Sequence, residues 1–182
     1  LFRSGSVRAL IGAGFCMAAA HGALYAFFTL YLQRLGYSGT SIGALWTLGV
    51  LAEIGVFFYL PALFRRFSLP GIMLFSLLAA VVRFAAIGWA AGYFAVLVAA
   101  QLLHAATFGA FHAASVAMVQ RLFPAVAHAR GQALFSSLAY GGGGAGGALL
   151  GGWAWEAGGP ALTFSFAAGI RSEERRGGKE CR

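Results

Sequence analysis

Long apolar runs broken by short polar clusters set the pattern of this chain. Breaks at Arg34-Leu35-Gly36-Tyr37, Arg65-Arg66, Gly92-Tyr93, Pro124 and Pro160 leave six segments, at about 7–33, 39–64, 70–92, 93–122, 130–155 and 160–170. The first five reach the roughly 20 mostly apolar residues that a membrane helix needs, and the sixth is truncated. The runs are long and lack a period of two, which argues against strands. In lipid, only helices and closed barrels satisfy their own backbone groups. The pattern therefore predicts an all-α, polytopic membrane helix bundle with six transmembrane segments, the last incomplete.

Composition agrees. The chain has 182 residues, of which 60% are hydrophobic and only 10% charged, with a mean hydropathy of +0.78. Soluble domains are nearer half apolar and a quarter charged. The balance excludes an ordinary soluble enzyme and a disordered chain. The net charge of +8 reflects scarce acids more than abundant bases: there is no Asp, and Lys179 is the only Lys. The Arg residues are spread thinly between apolar runs, so they form no patch for nucleic acid.

Residues 171–182 (RSEERRGGKECR) break the pattern abruptly. They resemble a translated sequencing adapter, although that translation would have Val where Gly177 stands, and they are expected to be a non-native tail. The chain also begins with Leu1, and it reads as a fragment open at both ends. Without the tail, Cys16 is the only cysteine, which supports neither a disulfide nor a metal cluster.

Arginine sets the orientation. Arg3, Arg8, Arg65, Arg66, Arg121 and Arg130 fall on the side where the chain starts, and Arg34 falls opposite. This positive-inside bias places the start of the chain in the cytoplasm. The connecting loops are short, so function has to sit in the bundle.

Polar residues at membrane depth are the candidates for chemistry. His21, Glu53 and Arg83 lie on successive helices, each roughly 18–20 Å from the Arg-rich end at 1.5 Å per residue. Glu53 and Arg83 are expected to pair, directly or through water, because isolated charges there are costly. The pair is either a proton-carrying site or a static brace between helices. On the fourth segment Gln101, His104, His112 and Ser115 fall within a wedge of about 80°, with Phe108 among them. Such a stripe suggests a polar cavity or interhelical hydrogen bonding. His104 and His112 stand two turns apart, too far for the usual one-turn pair of metal ligands, so no metal or other cofactor is expected. Stripes His21, Tyr25, Phe28 and Trp46, Glu53, Phe57 suggest an aromatic-lined pocket or plain packing, and Ser136, Ser137 and Tyr140 are placed to face the same cavity. The glycine run 141–147 lacks the Gly-Lys-Ser/Thr of a phosphate loop. Gly143, Gly147 and Gly151 instead follow the small-xxx-small spacing of close helix packing.

The run His21-Gly22-Ala23-Leu24-Tyr25, then Gly36-Tyr37-Ser38, Leu45-Trp46 and Leu48-Gly49-Val50-Leu51-Ala52-Glu53, resembles the second half of the phenylpropionate-permease-like group of the major facilitator superfamily. The resemblance continues through Leu63-Phe64-Arg65-Arg66, Val82-Arg83, Gln101-Leu102-Leu103-His104 and Thr107-Phe108 to His112. It implies that residues 1–170 are the C-terminal half of a twelve-helix transporter in the cell (inner) membrane, whose N-terminal half is missing from this chain. It also implies proton-coupled symport of a small organic molecule, such as the aromatic acid 3-phenylpropionate, with the site near the midplane between the halves. Lactose permease, a more distant relative, carries a Glu, an Arg and a His on helices eight, nine and ten. By that likeness Glu53, Arg83, His104 and His112 would couple protons. Arg83 would serve as counter-charge or as anchor for a substrate carboxylate. His21, Tyr25, Trp46, Gln101, Phe108 and Tyr140 would meet substrate. This chain departs in having no acid on its fourth segment. A sugar or nucleoside proton symporter of the same superfamily is the alternative, and a His-dependent membrane enzyme or haem carrier is a third reading.

Overall fold

The computed structural model of the chain describes residues 4–169. Arg3 and the expected non-native tail at 171–182 lie outside them. The described residues are helical throughout, with no strand.

α1 (Gly5–Arg34) ends where Gly36 takes a left-handed φ of 84°, a conformation glycine adopts without steric cost. α2 (Gly39–Arg66) starts at Ser38, whose hydroxyl accepts from the Ser41 amide, and closes on Arg65 and Arg66. Cations suit the negative end of the helix dipole. Ser68 caps α3 (Leu69–Ala90) by accepting from the Gly71 amide, and Pro70 occupies the first turn, where its missing N–H costs nothing.

The fourth rod spans Phe94–Leu122. It consists of α4 (Phe94–Leu102), a π-helical turn (Ala105–Ala110) and α5 (Phe111–Leu122). After a 3-10 turn (Ala125–Ala127) the fifth rod repeats this design. α6 (His128–Phe135) passes through a second π turn (Ser136–Gly142) into α7 (Gly143–Gly169). α7 breaks at Gly158 and Gly159, the latter with φ 68°, and resumes at Pro160, where the sequence places its sixth segment.

Four of these rods, the shortest with 22 residues, are long and apolar enough to cross a membrane. That makes the chain a multi-pass membrane helix bundle. The expected count of six spans is not reached among the described residues. The rod from His128 onward is rich in glycine, which adds no apolar side chain, and it carries Glu156. The piece beyond Gly159 is short.

α1 and α7 meet most closely. A Cβ added to Gly147 would overlap the Ala19 backbone, one on Gly143 would strike Phe15, and one on Gly151 would come to 3.0 Å from the Ala23 Cβ. Gly22 of α1 reciprocates against the Gly144 carbonyl. The four-residue glycine spacing thus acts as a packing seam. Phe28, Phe84, Phe111, Phe135 and Phe164 fill the interior, while Phe58, Tyr59, Trp89 and Trp153 stand on the outside, a surface suited to lipid.

Candidate functional site

Arg83 lies at the centre of the bundle with no exposed surface. Its Nε donates to the Ala100 carbonyl at 2.8 Å. Nη1 donates to Thr107 Oγ1 at 3.1 Å and contacts His21 Nε2 at 3.2 Å, and Nη2 donates to Gln101 Oε1 at 3.1 Å. Three rods are tied together by this one guanidinium. The His21 ring is fixed by it as well. Nδ1 lies 2.9 Å from the Met17 carbonyl, which can only accept, so Nδ1 carries the proton and Nε2 accepts from Arg83.

Glu53, expected to pair with Arg83 directly or through water, lies beside His104. Glu53 Oε2 faces His104 Nε2 at 3.7 Å, beyond direct hydrogen-bond distance. His21 and Arg83 touch and so share a height in the bundle, but height does not fix which way each helix is turned. Two glycines make room here, Gly109 for the Glu53 side chain and Gly49 for Gln101 and His104. A Cβ on Gly109 would sit 2.9 Å from Glu53 Cγ, and one on Gly49 would sit 3.1 Å from Gln101 Oε1. The Glu53 side chain keeps 18% of its surface open, against 7% for His104. His104 Nδ1 and Gln101 Nε2 are buried without a hydrogen-bond partner among the described residues.

Aromatic rings extend the site sideways. Trp46 and Tyr25 lie 5.8 Å apart, Tyr25 and His21 5.9 Å, and His21 is 5.4 Å from Phe108. His104, Phe108 and His112 then stack nearly parallel, with interplanar angles of 10° and 8°. At the far end His112 Nδ1 shares a 3.0 Å hydrogen bond with the Tyr140 hydroxyl. The π turn is what aligns the ladder. Its i→i+5 bonds widen the winding beyond 3.6 residues, so rings four residues apart fall into line.

The ten residues expected to couple protons or meet substrate join one connected group, and several of these and the other candidates differ from expectation. Arg83 is too enclosed to reach a substrate carboxylate from this position. Ser115 turns back onto the Phe111 carbonyl, and Ser136 accepts from Gln132. Phe28 is fully buried, edge-on to Trp46, while Tyr25 remains about half exposed. Sequence reasoning missed Thr107, Gly49 and Gly109. Gly49 stands four residues before Glu53 and so on the same helix face, a signal that was available. Among the described residues no cluster of metal-ligating side chains is present.

Residues 1–166 match the family model described as the MFS_1 like family. Over 126 residues, 69% of this chain, the sequence is 36% identical to a protein of Escherichia coli (strain K12) named "Probable 3-phenylpropionic acid transporter". The aligned stretch is 33% of that relative, so the chain spans about a third of its length. No solved structure matches.

Proposed function

The chain belongs to the MFS_1 like family of transport proteins, and from that premise we propose that it is the C-terminal half of a proton-coupled symporter in the bacterial inner membrane. The Arg-rich helix ends would face the cytoplasm, and an N-terminal half would close the site from the other side. Glu53 is the proposed proton carrier. It is a carboxylate at membrane depth, partly open, with His104 as its polar neighbour. Arg83 acts by positioning, holding His21, Gln101 and Thr107 beneath it.

The substrate is a small aromatic acid. The observation that carries this reading is the unbroken line of rings from Trp46 and Tyr25 through His21 and Phe108 to His112 and Tyr140. Such rings suit offset or edge-on packing against a planar substrate. The name of the Escherichia coli relative agrees with it.

The test is uptake of 3-phenylpropionate by the full-length protein in proteoliposomes with an imposed proton gradient. Wild type should accumulate substrate, while Glu53→Gln should still bind it and fail to accumulate it. Accumulation by the variant equal to wild type would remove Glu53 from the coupling role. Competition by sugars or nucleosides, without competition by aromatic acids, would replace the substrate class.

A further inference from the structure

At the Arg-rich end of the bundle, α2 and α3 diverge on either side of the first π turn and leave a crevice of about 530 Å³. Its walls are almost wholly apolar, with Val56 and Leu63 on one side, Ile72 and Phe75 on the other, and Ala106 and Ala110 at the back. A second cavity of about 450 Å³ shares Phe67 and Ser68 with it and is bounded by Gln120 and Arg121. The two form an apolar slot with a polar, cationic mouth. Along α2 the lining runs from Val56 to Phe67, about 16 Å at 1.5 Å per residue. That is close to one leaflet of a hydrocarbon core roughly 30 Å thick.

Among the described residues no acid lies near the charges at this end. Arg65 and Arg66 sit in the last turn of α2, between the lining residues Phe64 and Phe67, and Arg121 sits in the last turn of α5. All three are exposed. Among the described residues the only acids are Glu53, about 18 Å further along α2, and Glu156, near the far end of the fifth rod. The capped start of α3 adds the positive end of its dipole at the same place. An apolar slot as deep as a leaflet, with the Arg121 guanidinium at its mouth and Arg65 and Arg66 exposed on the same end of α2, has the chemistry of an anionic lipid. Neither water nor a neutral lipid supplies both parts.

We infer that this crevice is a binding site for an anionic phospholipid. One acyl chain lies between α2 and α3 against Ala106 and Ala110. The headgroup phosphate is held by Arg121, with Arg65 and Arg66 beside it. Basic pockets between transmembrane helices recognise lipid phosphates in this way.

Native mass spectrometry of the full-length protein, released from detergent after incubation with phosphatidylglycerol or with phosphatidylcholine of the same chains, tests the site. Wild type should retain phosphatidylglycerol about tenfold better, as one to two effective surface cations would give. Arg121→Gln should lower that preference about fivefold. Ala106→Phe, which fills the slot and leaves every charge in place, should abolish retention of one tightly held lipid. The Arg65→Gln, Arg66→Gln double variant serves if Arg121→Gln does not fold. Equal retention of the two lipids would overturn the proposal. So would undiminished retention by Ala106→Phe, or a wild type that holds no lipid because another part of the full-length chain fills the slot.

Discussion

α7 and α2 are held against their neighbours in opposite ways. α7 meets α1 through glycines that bring the two backbones together, with small side chains such as Ala18 and Ala23 against them. α2 meets the first π turn through side chains, with Glu53, Val56 and Phe57 resting over Gly109. Burial follows the same division. Twelve residues of α1 are buried, whereas α2 buries only Ile42, Leu45 and Gly49, all in its first half. The stretch of α2 that carries Glu53 thus has no buried anchor of its own. Close van der Waals contact between small residues is a main adhesive available to helices in lipid, so the α1–α7 seam is the close-packed frame, which α2 joins by side-chain contact. The proposed proton carrier sits on the less buried helix, while the fully enclosed Arg83 joins the frame to the fourth rod.

One added methyl group separates the two regions most sharply. Gly147→Ala drives its Cβ into the Ala19 backbone, which cannot step aside. Overpacking of this kind costs about 1–3 kcal/mol or more, against a gain of about 1 kcal/mol in helix propensity. The full-length variant should lose several degrees of melting temperature in detergent. Gly109→Ala meets only Glu53 Cγ at 2.9 Å and Val56 Cγ1 at 3.0 Å, two side-chain atoms. There the propensity gain offsets most of the crowding, and stability should stay within about 1 kcal/mol of wild type. Proton-driven uptake should nonetheless fall, because the carboxylate is pushed from His104. A Gly147→Ala protein as stable as wild type would dissolve the contrast. The smallest effect is expected at Tyr140→Phe, which removes the bond to His112. A loss of about 0.5–1.5 kcal/mol, read as a shift in melting temperature, would show that the ladder's outer end is fastened by that hydroxyl.

Much of this was legible from residues alone. Helix ends were marked by Gly36, by Ser68 with Pro70, and by the Gly158-Gly159-Pro160 break, because each imposes a local backbone or capping requirement. The seam was legible because a spacing of four puts glycines on one face. The partner of Glu53 was not. Counting residues from a helix end gives height in the membrane, but facing depends on rotation, and rotation depends on winding. Both π turns change the winding in segments whose sequences, AATFGA and SSLAYGG, carry no mark of it. Thr107 was missed for the same reason, since its link to Arg83 exists only with the wider turn in place.

The first of those turns has a further consequence for how one rod serves two neighbours. His104, just before it, faces α2, and His112, just after it, faces Tyr140 on the fifth rod. Rewinding Ala105–Ala110 as ordinary α-helix, with no residue removed, would add about 18° at each of its six positions and swing one half of the rod by roughly 100° relative to the other. Either Glu53 or Tyr140 would then lose its histidine, though every side chain of the site remained. The turn works as a phase setter: six residues of unremarkable composition fix the angle between two halves of a helix, and so decide which pair of neighbours it can address at once.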